Sequence, residues 1–250
     1  MIMPAQPPGI QAAPLPWLAG WRPPWFAPRL WLMLIGWGAI GLAYGSAHWL
    51  QGPGRSLPEW LPDRLLPFDP LAIWPYLSMF ILVPLAYLRC PPPRQYALAA
   101  AMQGCAAVAW CCFLLFPTTL AAYPAADPGT LSGWLLNRLM QLDSSQNCLP
   151  SLHAALTLLS VYALRRNEPR HAARAVNLML WLWAILISLS IIVLRRHLFI
   201  DLLTGLLLGH IAALRCGLIG KRAANAAMPV PRPASTAACR RSPTSRETLP

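Results

Sequence analysis

A chain of 250 residues that is 56% hydrophobic and only 11% charged, with a mean hydropathy of +0.46, lies far from the roughly one-quarter charged content of a soluble domain and reads as a polytopic membrane protein. Its net charge of +12 does not describe a nucleic-acid surface, because the basic residues divide by loop instead of collecting on one face. The seven cysteines show no CxxC spacing and read as packing residues, which argues against a disulfide or zinc framework.

In chain order, residues 1–29 form a Pro- and Trp-rich N-terminal segment. Pro4, Pro7, Pro8, Pro14 and Pro16 interrupt it, so no cleavable signal peptide is expected and the first span doubles as an anchor. Trp17, Trp21, Trp25 and Trp31 suit an interfacial aromatic belt. Six apolar runs follow, near Leu30–Leu50, Leu71–Leu88, Tyr96–Phe116, Leu149–Leu164, Ala175–Leu194 and Leu198–Gly220, and predict membrane helices, the fourth being the shortest. They lack the alternation of a barrel, so the expected fold is all-α, a six-transmembrane-helix bundle over residues 30–220. Residues 221–250 are a basic tail with little to bury.

Arg22 and Arg29 precede the first span and Arg89 and Arg94 follow the second. Arg165, Arg166, Arg170 and Arg174 link the fourth and fifth, and Arg215, Lys221, Arg222, Arg232, Arg240, Arg241 and Arg246 lie at or beyond the end of the sixth. The positive-inside rule then puts both termini in the cytoplasm and leaves the opposite loops outside an inner (plasma) membrane. One external segment, 51–70, carries Leu57, Trp60, Leu61, Leu65 and Phe68. Another, Thr130–Leu142, carries Leu131, Trp134, Leu135 and Leu139 at near-helical spacing, with Asn137 and Arg138 on another side. Both suit chains lying along the interface over an external site.

That site is marked by Pro150-Ser151-Leu152-His153 and His197-Leu198-Phe199-Ile200-Asp201, each opening an apolar span. An acid at mid-helix in a membrane costs roughly 2.5–3.5 kcal/mol unless partnered, so ionisable groups there demand a function. His197 and Asp201, four residues apart, can meet on one helix face, where a carboxylate behind an imidazole activates it as base or nucleophile. Pro150 and Ser151 suit a helix start and cap, placing His153 in a first turn whose amides and positive dipole end attract phosphate. Arg195, Arg196 and Arg138 supply cations suited to phosphate oxygens. His197, Asp201, Gly205 and Gly209 form one stripe, and Gly205 with Gly209 completes a GxxxG pattern for close helix approach. His210, nine residues after Asp201, falls about 180° away and is assigned a packing role.

These paired motifs, about 44 residues apart and on one side of a six-helix protein, resemble the type-2 phosphatidic acid phosphatase superfamily. PSLH with a His-x-x-x-Asp preceding a glycine is similar to its inositolphosphotransferase branch, related to inositol phosphorylceramide synthases. The likeness covers about residues 70–220. It implies metal-independent phosphoryl transfer without a cofactor, in which His197 attacks phosphorus and becomes phosphohistidine, Asp201 orients it and His153 protonates the leaving alcohol. Several features depart from the broad pattern. Its first motif, with a lysine and an Arg-Pro pair, is absent, the only lysine being Lys221, and Ile191 stands where an arginine would precede the histidine. Arg138, Ser151, Arg195 and Arg196 are the phosphate-binding candidates, with Asn147 a weaker one. The expected partners are a membrane lipid carrying a phosphate, phosphodiester or diphosphate and, if the reaction is a transfer, an alcohol acceptor, with no nucleic acid. Two rivals are a non-enzymatic carrier or assembly factor and a metal hydrolase using His153, His197 and Asp201 as ligands.

Overall fold

The computed structural model describes residues 26–120, 124–144, 146–166 and 170–220. Most of the predicted N-terminal segment, including Trp17, Trp21 and Trp25, and the tail 221–250 lie outside the described residues. Helices dominate: α1 (Phe26–Leu50), the short α2 (Leu61–Leu65), α3 (Ile73–Leu77), α4 (Met79–Arg89), α5 (Pro92–Leu115), α6 (Leu131–Leu142), α7 (Leu152–Leu164), α8 (His171–Val193) and α9 (Phe199–Arg215). A two-residue parallel pairing of β1 (Arg55–Ser56) with β2 (Thr118–Thr119) ties two loops together.

Among the described residues, four helical stretches are long and apolar enough to cross a membrane: Ala27–Leu50, Pro70–Arg89, Pro92–Leu115 and His171–Val193. The second is built in pieces, a 3-10 turn at Pro70–Ala72 followed by α3 and α4. Pro75 and Pro84 each remove a backbone donor there, and Ser78, at the α3–α4 junction, donates its hydroxyl to the Pro75 carbonyl at 2.6 Å. Large apolar side chains such as Leu42, Ile81, Leu182, Ile185 and Leu207 are exposed on the outer faces, as expected where lipid replaces water and helices associate by close packing of small residues. Gly36 is one such contact: a Cβ there would meet the Ala99 Cα at 2.8 Å, so α1 and α5 touch backbone to backbone.

The fourth predicted span, Leu149–Leu164, yields a helix of only 13 residues, α7. At 1.5 Å per residue it is about 20 Å long, short of a hydrocarbon core of about 30 Å. It is enclosed by α4, α5, α8 and α9, and every residue from Ala154 to Ala163 is buried. Its environment is therefore protein, and its apolar composition reflects a core helix. The sixth predicted span also shortens, to 17 residues, because Leu198 is the N-cap of α9 and the chain turns away after Arg215, with Gly217 and Gly220 at positive φ. On α6 the buried residues are Ser132, Gly133 and Leu136, whereas Leu131 and Trp134 face outward. The predicted apolar face is thus partly the outer one, and the inner one is chosen by close contact with α3 and the Pro70–Ala72 turn, where Trp74 donates its indole N–H to the Ser132 hydroxyl at 3.0 Å.

At the opposite end, Arg94 donates to the carbonyls of Ala163 at 3.3 Å and Arg165 at 2.6 Å. This satisfies acceptors that the end of α7 leaves without helical partners. His210, on α9, meets the Tyr162 hydroxyl through its Nδ1 at 2.8 Å, a packing contact remote from the two motifs.

Candidate active site

The site is assembled where the starts of α7 and α9 cross. Ser151 is the N-cap of α7, its hydroxyl accepting from the Ala154 amide at 3.4 Å. Its own amide donates to the Asp201 carbonyl at 3.0 Å, which pins α7 to α9. The glycine stripe permits this. A Cβ on Gly205 would stand 2.1 Å from the Ser151 carbonyl oxygen, and one on Gly209 would stand 2.9 Å from that of Ala155. Only residues without a side chain let the two backbones approach so closely.

The crossing brings the two motifs together. His197 Nδ1 faces Asp201 Oδ2 at 3.5 Å, and the same carboxylate oxygen accepts from the Leu198 amide at 2.8 Å. Asp201 is therefore both the clamp on the first turn of α9 and the group behind the imidazole. It is fully buried. His153 lies in the first turn of α7, its ring stacked on Tyr76 with centroids 4.5 Å apart and planes 28° apart. The His153 and His197 centroids are 6.3 Å apart. His153 Nε2, His197 Nδ1 and Asp201 Oδ1 are buried without a hydrogen-bond partner among the described residues, a state that costs free energy and is retained where chemistry or a ligand uses the atom.

Both histidines line a cavity of about 270 Å³ between α1, α4, α6 and α7. Tyr44, Tyr76, Asp143 and Asn147 add polar groups, and Trp37, Ile40, Met79, Phe80, Leu139 and Leu142 make the rest of the wall apolar. Such a cavity, mostly apolar with a few polar groups, is the usual character of a small-molecule site. Asn147 reaches it from the left-handed region, at φ 62°, while its carboxamide donates to the Tyr44 carbonyl at 3.1 Å.

The four phosphate-binding candidates separate. Arg196 is 5% exposed; its guanidinium pairs with Asp143 and donates to the Ser144 carbonyl at 3.3 Å. Asp143 in turn accepts from the Tyr44 hydroxyl, so a guanidinium, a carboxylate and a phenol form one network, in which Tyr44 and Asp143 line the cavity and Arg196 stands behind Asp143. Arg195 turns the other way. Its φ of 53° reverses the chain after α8, and its guanidinium donates to the carbonyls of Asp63 and Leu66. Arg138 is exposed on α6, hydrogen-bonded to Gln141 at 3.0 Å and lying over the Trp134 ring. Ser151 is fully buried as a cap and is not among the cavity-lining residues.

Several residues here were not anticipated. Asp143 and Tyr44 carried no local signal, the first being one of several external-loop acids and the second one aromatic in an apolar run. Asp63 is 1% exposed and accepts from the amides of Trp60 and Phe199, both at 2.7 Å. It thereby fixes the start of α9 from the far end of the 51–70 segment. Cys148, read from the sequence as packing, lies with His197 and Asp201 in a group whose ligand-capable atoms are all within 4.8 Å of one another. That trio, and not the one with His153, is what the fold gathers. Burial and the neighbouring Asp201 carboxylate push the Cys148 thiol up to about 12, so it stays protonated at neutral pH.

A family model described as the PAP2 superfamily matches residues 93–223, slightly more than half of the 250-residue chain. The matched stretch contains both motifs and Asp143. No curated protein and no solved structure matches the chain.

Proposed function

The chain belongs to the PAP2 superfamily, and on that premise we propose that it is a membrane phosphatase or phosphotransferase acting on a lipid phosphate, phosphodiester or diphosphate without a metal or cofactor. The observation that carries the reading is the cavity: His153 and His197 line it together with Tyr44, Tyr76, Asp143, Asn147 and a majority of apolar side chains, with Asp201 behind His197 and Arg196 paired to Asp143.

Each group has a task. Asp201 faces Nδ1 of His197, which holds that nitrogen as the N–H and leaves Nε2 with a lone pair for attack on phosphorus. The N–P bond forms as the P–O bond to the leaving alcohol breaks. His153 supplies the proton to that oxygen, then takes one back from the water or alcohol that displaces the phosphoryl group from His197. Arg196, held behind the cavity-lining Asp143, offsets charge developing on the phosphoryl oxygens. Of the candidates drawn from the sequence, Arg196 is the one assigned this role, while Ser151 acts by capping α7, and Arg195 and Arg138 serve the scaffold and the interface.

The apolar walls support a lipid substrate. In the membrane arrangement we propose, six passages include the protein-enclosed α7 and the 17-residue α9. Both termini are cytoplasmic and the site faces outward, at the external leaflet of the inner membrane. The PSLH and HLFID motifs support headgroup transfer of the inositolphosphotransferase type alongside hydrolysis, since the two share their first half-reaction.

Purified protein assayed in EDTA against a panel of lipid phosphates should turn over at least one, and His197→Ala should lower that turnover by several orders of magnitude. Full turnover by His197→Ala would overturn the assignment. Phosphate release that does not depend on an added alcohol would identify hydrolysis, and headgroup exchange that requires the alcohol would identify transfer.

A further inference from the structure

We propose that Cys148, His197 and Asp201 form a site for a soft divalent cation of the zinc or cadmium class, and that its occupancy switches the nucleophile off. The three residues come from different places: the loop before α7, the turn before α9 and the first turn of α9. All are buried, and one ligand atom from each lies within 4.8 Å of the others. His197 Nδ1 and Asp201 Oδ1 have no hydrogen-bond partner among the described residues, so two of the three ligands present polar atoms not engaged elsewhere.

The donor set selects the ion. One thiol, one imidazole and one carboxylate match zinc, which takes sulfur at about 2.3 Å and nitrogen or oxygen at about 2.0–2.2 Å. Magnesium and calcium require a shell of oxygens that a single carboxylate does not provide. A tetrahedron with those bond lengths has edges of roughly 3.3–3.8 Å, so the side chains must close by about 1 Å, within reach of rotation about their own bonds. Charge also favours the ion. Cys148 releases its proton to solvent on binding, and the thiolate and carboxylate together cancel a charge of +2, leaving a neutral cluster in a buried place.

The position explains the consequence. His197 lines the cavity, whereas Cys148 and Asp201 are not among its lining residues. The ion therefore sits behind the imidazole, on the Asp201 side. There Nδ1 gives its lone pair to the ion, the ring's one proton moves to Nε2, and the ion takes the carboxylate for itself, so the imidazole stays neutral and Nε2 has no lone pair for attack. The binding site stands on the three ligands alone, while the loss of activity rests on the role proposed above for His197.

The test uses the full chain, reduced and purified in detergent. Cadmium titration should give a thiolate-to-metal charge-transfer band that saturates at one equivalent per chain, and zinc affinity is read by competition with a chromophoric chelator. Cys148→Ser should abolish that band and weaken the tightest zinc site by about 100-fold or more, beyond the 10–100-fold typical of losing a supporting partner. Asp201→Asn, which keeps the thiol, should weaken it at least about tenfold. Zinc should inhibit wild-type turnover reversibly, with EDTA restoring it, and Cys148→Ser should need about 100-fold more zinc for the same inhibition. Wild-type protein without a one-equivalent site, or both variants binding as tightly as wild type, overturns the proposal. Metal binding through Cys148 in a protein that turns over no lipid phosphate would defeat the enzymatic reading and leave this site standing; turnover without metal binding would do the reverse.

Discussion

Replacing Gly205 by alanine tests whether the α7–α9 crossing positions the site. The added Cβ would lie 2.1 Å from the Ser151 carbonyl oxygen, 3.0 Å from its carbon and 3.2 Å from the Ala154 Cβ. A comfortable carbon–oxygen separation is roughly 3.3–3.6 Å, so α9 must retreat from α7 by about 1.2–1.5 Å. The obstacle is backbone at the capped start of α7, hydrogen-bonded to the Asp201 carbonyl at 3.0 Å, and cannot swing aside as a flexible side chain would. Overpacking of this kind costs about 1–3 kcal/mol. The catalytic effect should be larger than the structural one, because His197 and Asp201 move with α9 while His153 stays with α7, and a misplacement near 1 Å is enough for about 100-fold in rate. Thermal unfolding in detergent and turnover of whichever lipid phosphate the wild type accepts are measured together, with Gly104→Ala as the control because nothing lies within 4 Å of a Cβ there. The expected result is a melting temperature lowered by several degrees and turnover lowered about 100-fold for Gly205→Ala, with neither loss for the control. A Gly205→Ala protein as stable and as active as wild type would refute the argument that close approach of these helices builds the site.

Two further predictions follow from buried charge. Asp63→Ala leaves the part-buried amides of Trp60 and Phe199 without their acceptor; at no more than about 1–3 kcal/mol for each group left unpaired, it should destabilise the protein by up to about 2–6 kcal/mol, and an unchanged unfolding midpoint would contradict this. Arg196→Ala strands the Asp143 carboxylate in a pair that is 4% and 16% exposed, so it should cost about 3 kcal/mol and reduce turnover at least about 100-fold. Arg138→Ala, on the exposed face of α6, should stay within about twofold of wild type on both measures, and equal losses for the two arginines would show that the cavity does not discriminate between them.

Much of the site was legible because it obeys local periods. Four-residue steps put His197, Asp201, Gly205 and Gly209 on one stripe, and the stripe does face α7, with Gly205 against Ser151 and Gly209 against Ala155. The cap rule placed His153 in a first turn, where it is found. What escaped depends on contacts distant in the chain. Three arginines near the motifs look equivalent in sequence, yet the left-handed residue Arg195 sends its side chain toward the 51–70 segment while Arg196 turns to Asp143. The enclosure of α7 by protein is not legible, because an apolar run against lipid and one enclosed by four helices have the same composition. The inner face of α6, Ser132, Gly133 and Leu136, carries no such signal: in a membrane, exposed Leu131 and Trp134 carry no penalty, so amphipathicity does not report the core side. The closeness of Cys148 to His197 and Asp201 leaves no local spacing signal, because those neighbours are tens of residues away.

The central claim is that His197 carries the phosphoryl group. The most direct measurement is a brief incubation of the purified protein, in EDTA, with phosphorus-labelled lipid donors, followed by assay for an acid-labile phosphoprotein in wild type, His153→Ala and His197→Ala. The account predicts label trapped on the His153→Ala protein, where the second half-reaction lacks its base, and none on His197→Ala. Label retained by His197→Ala, or turnover in wild type that never passes through a labelled protein in any variant, would contradict it.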